Sequence, residues 1–243
     1  MKPHSTYKEQ ANDIAEALMV YSNPEKAAFY PYFFKTGKGE YGEGDLFLGI
    51  KSKDIGTVVK MCLNTPIGVI DELIQSKYHE VKMCAIKIIV YQYQKKKDRQ
   101  EELFNYYMSI TSYLNNWDFV DLSAWKIVGQ QLLSFDQEKC HNILDRLIES
   151  KSLWEQRIAI VCTFAFIRND RFEKTMYVVE KLLLHDHDLI HKANGWMLRE
   201  VSKRNEELVD EFIYKHIRQM PRTTLRYAIE RYPEDKRKAF LKL

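Results

Sequence analysis

From about residue 45 onward, apolar residues recur every three or four positions with polar residues between them, which predicts amphipathic helices of roughly 10 to 18 residues. Polar breaks interrupt the pattern at Asn64-Thr65-Pro66, Lys95-Lys96-Lys97-Asp98, Asn115-Asn116 and Arg168-Asn169-Asp170. Breaks this short make neighbouring helices antiparallel. Paired patterns fall near residues 52–76, 79–113, 117–149, 153–183 and 187–218, a spacing of roughly 35 to 40 residues within the HEAT-type range. The expected fold is therefore all-α and built of stacked helix pairs. Such stacks curve and bind on their concave face.

Composition supports helices and narrows the setting. Nine glycines and six prolines in 243 residues are few for an all-β protein, and the length suits one domain, with N-terminal helices and a Gly-rich loop over 1–45 and helical repeats over 46–243. A net charge of +3 is too mild to argue for a polyanion partner unless the charge is unevenly distributed. Cys62, Cys84, Cys140 and Cys162 form no Cys-x-x-Cys pair and read as small core residues of a reducing compartment. No apolar run reaches about 18 residues, and Met1-Lys2-Pro3-His4-Ser5 lacks a signal-peptide apolar core. A soluble cytoplasmic protein with no membrane partner is expected.

The glycine cluster Gly37-Lys38-Gly39-Glu40-Tyr41-Gly42-Glu43-Gly44 does not read as a nucleotide loop. Its Gly-Lys is followed by Gly rather than Ser or Thr, and no strand precedes it. A flexible interhelical loop is the plain reading.

The candidate chemistry centres on a carboxylate. At about 100° per residue, Trp117, Asp121, Ala124, Trp125, Val128 and Leu132 share one helical face, so Asp121 stands between two indoles on an apolar stripe. A buried charge needs a cationic partner or a cavity in which it acts, and both readings stay open. Asp118, by contrast, is explained as a first-turn acid behind a capping Asn115 or Asn116. Arg157, on the edge of the stripe through Trp154, Ile158, Val161 and Ala165, reads as a groove residue, a partner of Asp121 or a helix cap. Trp196, at the margin of the stripe through Ile190, Ala193, Met197 and Val201, reads as a groove residue or as interhelical packing.

His187-Asp188-Leu189-Ile190-His191, with His185 nearby, has the histidine spacing of a zincin helix, but Asp replaces the Glu of that motif. Asp186 or Asp188 as a helix N-cap is the simpler expectation, with no metal. Basic residues recur at Lys82, Lys87, Lys95, Lys96, Lys97, Arg199, Lys203 and Arg204. Pro221-Arg222-Thr223-Thr224-Leu225-Arg226 is the better phosphate candidate, because hydroxyls, guanidinium groups and free amides would converge at a helix start.

Taken in order, Asn23-Pro24-Glu25-Lys26-Ala27, Phe47-Leu48-Gly49-Ile50, Trp117-Asp118-Phe119-Val120-Asp121, Trp154-Glu155-Gln156-Arg157 and Lys192-Ala193-Asn194-Gly195-Trp196-Met197-Leu198-Arg199-Glu200 resemble the AlkD-like DNA alkylation repair proteins, the HEAT-like-repeat alkylpurine DNA glycosylases. The resemblance spans nearly the whole chain. It implies a superhelical all-α solenoid whose concave face binds duplex DNA containing alkylated bases, as a monomer associated with the nucleoid. It also implies excision of 3-methyladenine and 7-methylguanine by a monofunctional, cofactor-free hydrolase without a deep base-flipping pocket. By the same resemblance, Trp117, Asp121 and Trp196 form the catalytic cleft with Arg157 on the DNA backbone. Phe33, Lys192, Arg199, Arg222, Thr223 and Arg226 are the further expected DNA contacts. Phe33 departs from the family's usual Tyr and removes a hydroxyl, and the Gly-rich insertion before Phe47 is longer than expected. Competing expectations are a non-catalytic DNA-binding paralogue and a HEAT-like protein-interaction scaffold.

Overall fold

Apolar stripes give the helices their buried faces, and several first turns are closed by a capping side chain, among them those of Thr6, Asn23, Asp136, Ser152 and Asn205. In the computed structural model, residues 6–243 are described, so the leader reading of residues 1–5 lies outside the described residues. Among these residues the sole β pairing is an isolated bridge between Leu46 and Tyr78. Two compact units follow one another in sequence, the first ending at Ser123 and the second beginning at Ala124.

In the first unit, α1 (Tyr7–Met19) opens on a capping box in which Thr6 accepts from the Glu9 amide and Glu9 accepts from the Thr6 amide. Helix α2 (Pro24–Phe33) is capped by Asn23, which accepts from the Lys26 amide at 2.9 Å, and starts on Pro24. It buries none of its residues and leaves Phe29, Tyr32 and Phe33 exposed. Then come α3 (Ser52–Met61), α4 (Ile67–Ile74), α5 (His79–Lys95), α6 (Gln100–Ser109) and α7 (Trp117–Ser123). The breaks at Asn64-Thr65-Pro66 and Asn115-Asn116 fall between these helices, and at Lys95-Lys96-Lys97-Asp98 α5 ends on Lys95 and a 3-10 turn, Lys97–Arg99, leads into α6.

Helix α5 is the axis of this unit, in contact with α3, α4, α6 and α7. Its wide apolar surface, including Val81, Ala85, Ile86, Ile88 and Ile89, is removed from water, each large side chain contributing about 1.5 to 3 kcal/mol. Buried Glu80 on the same helix accepts from the amides of Leu48, Gly49 and Ile50 at 3.0, 2.8 and 3.1 Å. That one carboxylate fixes the segment leading into α3. Gly49, at φ +75°, lets this segment press on α2, since a Cβ there would lie 2.1 Å from the Asn23 carbonyl oxygen.

The second unit begins with a five-residue π-helical turn, Trp125–Gly129, continued by α8 (Gln130–Leu132). It proceeds through α9 (Gln137–Ile148), α10 (Leu153–Cys162), α11 (Phe164–Ile167), α12 (Glu173–Lys181), α13 (Asp188–Ser202), α14 (Glu206–His216), α15 (Arg222–Ala228) and α16 (Glu234–Lys242). Helix α13 packs against α10, α12, α14 and α15. Its approach to α15 depends on Gly195, where a Cβ would lie 2.4 Å from Tyr227 Cβ and 2.6 Å from the Thr224 carbonyl oxygen. All four cysteines are free thiols, three of them buried, and burial pushes Cys84 up to about 12. No helix among the described residues is long and apolar enough to cross a membrane.

Candidate functional site

Helix α7 has two sides, and Asp121 is not on the core side. Phe119, Val120 and Ser123 are buried, whereas Trp117, Asp118, Asp121 and Leu122 line a cavity of about 500 Å³. The stripe drawn from Trp117 through Leu132 assumed one unbroken helical register, and the π-helical turn at Trp125–Gly129 breaks it. Asp121 is half-buried in a recess rather than sunk among apolar groups. Its desolvation is accordingly partial.

Aromatic rings wall the recess. Phe34 stacks on Trp117 at 5.8 Å and 24°, Phe33 meets Trp117 edge-on at 6.0 Å, and Tyr30 lines the same cavity. Phe33 is thus brought beside Trp117, with 49 % of its surface exposed at the outer lip. Tyr32 is 75 % exposed and is not among the lining residues. The phenol in the recess belongs instead to Tyr30, whose pKa is raised by burial and by the charge of Glu80, so it stays protonated.

Behind the recess lies a buried charge chain that sequence reading missed. His79 Nε2 lies 2.9 Å from Asp118 Oδ2, and its Nδ1 lies 3.2 Å from Asp45 Oδ2. Asp45 also accepts from Lys82 Nζ at 2.7 Å and Asn115 Nδ2 at 2.9 Å. The imidazole is packed among the rings of Phe34, Phe47 and Phe119, at 4.6, 5.0 and 4.3 Å. Burial opposes its protonation, but the hydrogen bonds to Asp118 and Asp45 outweigh burial and push it up to about 9. Burial likewise opposes ionisation of Asp45, and its hydrogen bonds with His79, Lys82 and Asn115 hold the carboxyl below the usual range.

Asp118 is therefore more than a first-turn acid: it ties α7 to α5 through His79. Asn116, fully buried, accepts from the Trp117 amide at 2.9 Å, while Asn115 turns to Asp45 and Lys82. Lys82, noted above among the recurring basic residues, is buried and committed to Asp45. The signal available in sequence was the polar trio His79, Glu80 and Lys82 opening an otherwise apolar helix.

In the second unit, Arg157 is buried and its Nη1 donates to the Leu189 carbonyl at 2.5 Å, in the first turn of α13. Half-buried Trp196 lies 6.0 Å from Phe164, which meets Trp125 edge-on at 5.4 Å. Lys192 pairs with Asp188 at 2.8 Å, and Arg199 pairs with Glu230 and with Glu200. Arg222 Nη2 donates to the Leu241 carbonyl, Thr223 hydrogen-bonds with Asp188, and Arg226 is exposed on α15. Thr224 is fully buried and donates to the His191 carbonyl at 3.2 Å, so the helix start at Arg222 does not gather free donors as expected.

The histidine cluster closes the start of α13. His187 is the N-cap, its Nδ1 accepting from the Leu189 amide at 3.1 Å, in place of the Asp186 or Asp188 expected. His185 Nδ1 accepts from the His187 amide and His191 Nε2 contacts the His185 carbonyl. Among the described residues, no three His, Cys, Asp or Glu side chains are grouped to hold a metal ion.

A family model described as DNA alkylation repair enzyme matches residues 14–232. Among solved structures, the chain is similar to a predicted DNA alkylation repair enzyme from Enterococcus faecalis, with TM-score 0.67 and 18% identity over 88% of this chain and 97% of that one. It is also similar to AlkD2 from Streptococcus mutans, with TM-score 0.54 and 16% identity over 94% of this chain and 100% of that one. At such identities the likeness is one of fold. No curated protein matches the chain.

Proposed function

The chain belongs to the DNA alkylation repair enzyme family, and on that premise we propose that it is a monofunctional glycosylase that hydrolyses the N-glycosidic bond of cationic alkylated purines, such as 3-methyladenine and 7-methylguanine, in duplex DNA. The observation that carries this reading is the placement of Asp121 and Trp117 on one face of α7, in an aromatic-walled recess. A 7- or 3-alkylated purine is already cationic. When the bond from C1′ to nitrogen breaks, the electron pair neutralises the departing base, so the leaving group needs no general acid.

Positive charge then develops on the deoxyribose. A carboxylate about 4 Å away stabilises it by about 4 kcal/mol at an effective dielectric near 20, about a thousandfold in rate. Asp121 takes this role, orients the attacking water and accepts its proton as the new bond to C1′ forms. Trp117 presents an electron-rich face to the same cation, contributing about 0.5 to 2 kcal/mol. Trp196 offers an indole face to the DNA from α13. Arg157 acts through α13, gripping its first turn so that Trp196 keeps its register on the DNA. Tyr30 supplies the hydroxyl that Phe33 lacks. The reaction proceeds without extrusion of the base into a deep pocket.

The test is release of 7-methylguanine from methylated duplex DNA by the purified protein. Asp121→Asn retains fold and DNA binding and loses about a thousandfold in release. Equal release by both proteins would refute the assignment. One observation favours a non-catalytic DNA-binding protein instead: Phe33 stands at the lip where the family has Tyr. That reading predicts DNA binding with no base release by the unsubstituted chain.

A further inference from the structure

The π-helical turn of the second unit places two cations over one indole. Its inner residues Ile127, Val128 and Gly129 are buried, while Trp125 and Lys126 are left half-buried at its start. Lys126 Nζ lies 5.2 Å from the Trp125 ring centroid, and Arg168 Cζ reaches the same ring at 5.0 Å from the end of α11. Burial lowers the Lys126 pKa, the sign of an ammonium that has lost water without gaining a carboxylate.

Several other basic side chains of this unit meet carboxylates instead. Lys192 pairs with Asp188, Lys203 with Glu200, Arg204 with Asp170 and Lys215 with Glu180. Lys126 and Arg168 have no carboxylate partner among the described residues. The recess beside Arg168 is also lined by Phe164, Lys203, Arg204 and Glu200, and Glu200 is already engaged by Lys203 and Arg199. The patch is therefore cationic in excess. It adjoins the edge-on contact of Trp125 with Phe164 and the contact of Phe164 with Trp196.

We propose that Lys126 and Arg168, steadied over the Trp125 indole, form a phosphate-binding station that holds the backbone of duplex DNA beside Trp196. The station rests on the DNA reading given above and deepens it. Both groups are positioning residues: they meet phosphate oxygens, carry no base information, and serve any sequence equally. An indole beneath each cation limits its motion without neutralising it, so the charge remains available to the incoming phosphate.

Salt titration of duplex binding tests this directly, because each phosphate contact contributes about 0.9 to the slope of log affinity against log salt. Unmodified duplex DNA is titrated against the full chain, Lys126→Gln, Arg168→Gln and the double variant, with 7-methylguanine release measured in parallel. Each single variant is expected to flatten the slope by about 0.9 and the double variant by about 1.8, with Arg168→Lys restoring the parent slope. Parent slopes in both single variants, while the parent binds DNA, would overturn the station and leave the glycosylase reading intact. If the parent shows no salt-dependent affinity for duplex DNA, the DNA reading itself falls and the station falls with it.

Discussion

His79 on α5 lies 2.9 Å from Asp118 on α7, and through that contact a buried imidazolium holds the helix that carries Trp117 and Asp121. Its folded pKa, about 9, exceeds the ordinary 6.5. The raised value means that stability is fully present below about pH 6.5 and is lost as pH rises through about 9. The difference is worth about 3 kcal/mol. Urea unfolding across that range reads it as a falling midpoint, and His79→Gln removes the dependence. The substitution also costs about 3 to 5 kcal/mol, because it leaves Asp118 without its cation and Asp45 with Lys82 alone. An unchanged pH profile in His79→Gln would contradict a charged His79.

In the proposed mechanism Trp117 contributes through its ring face rather than its bulk. Trp117→Leu is expected to slow 7-methylguanine release by about 2- to 30-fold, the range of a cation–π contribution, while Trp117→Phe loses less. Single-turnover rates with DNA in excess of its dissociation constant separate this from weaker binding. Equal losses in both variants would point to packing instead.

Tyr30 is the phenol of the recess, kept protonated by burial and by Glu80. Tyr30→Phe is expected to lower base release by about tenfold, the size of one lost hydrogen bond to a charged group, with unfolding stability little changed. Introducing a hydroxyl at the lip with Phe33→Tyr in that background recovers part of the loss. Full activity in Tyr30→Phe would remove the phenol from the reaction.

Gly195 lets α13 and α15 meet. Gly195→Ala would bring a Cβ within 2.6 Å of a backbone oxygen of α15, an atom that cannot swing aside. A stability loss of about 1 to 3 kcal/mol follows, measured by chemical denaturation, with Trp196 displaced alongside. Retained stability would show that α15 yields at no cost.

Much of the fold was legible because periodicity reports directly which side of a helix meets the core. Helix breaks at Asn64-Thr65-Pro66 and Asn115-Asn116, and the buried thiols Cys84, Cys140 and Cys162, followed from local pattern and composition, whereas Cys62, expected in the core with them, is only half-buried. Asp121 reads from the sequence as an acid on an apolar stripe, and the structure places it half-buried at the recess. A wheel at 100° per residue cannot register the π-helical turn at Trp125–Gly129, so a recess-facing acid looked like a buried one. The caps of α13 were misassigned because a histidine ring can accept from an amide as a carboxylate does.

The amino-acid order by itself determined the helical fold and its pairing breaks, and it carries the resemblance in which Trp117, Asp121, Arg157 and Trp196 are the expected site residues. Those properties are local or periodic, and neighbouring residues in the chain suffice to express them. Tertiary structure alone decided that Asp45, 34 residues before His79, and Asp118, 39 residues after it, share one imidazolium. It also decided that Lys192 and Arg199 meet carboxylates within the protein while Lys126 and Arg168 meet an indole. The physical reason is that a charge is stabilised by whatever lies within a few ångströms in space, and spacing along a chain does not specify those neighbours.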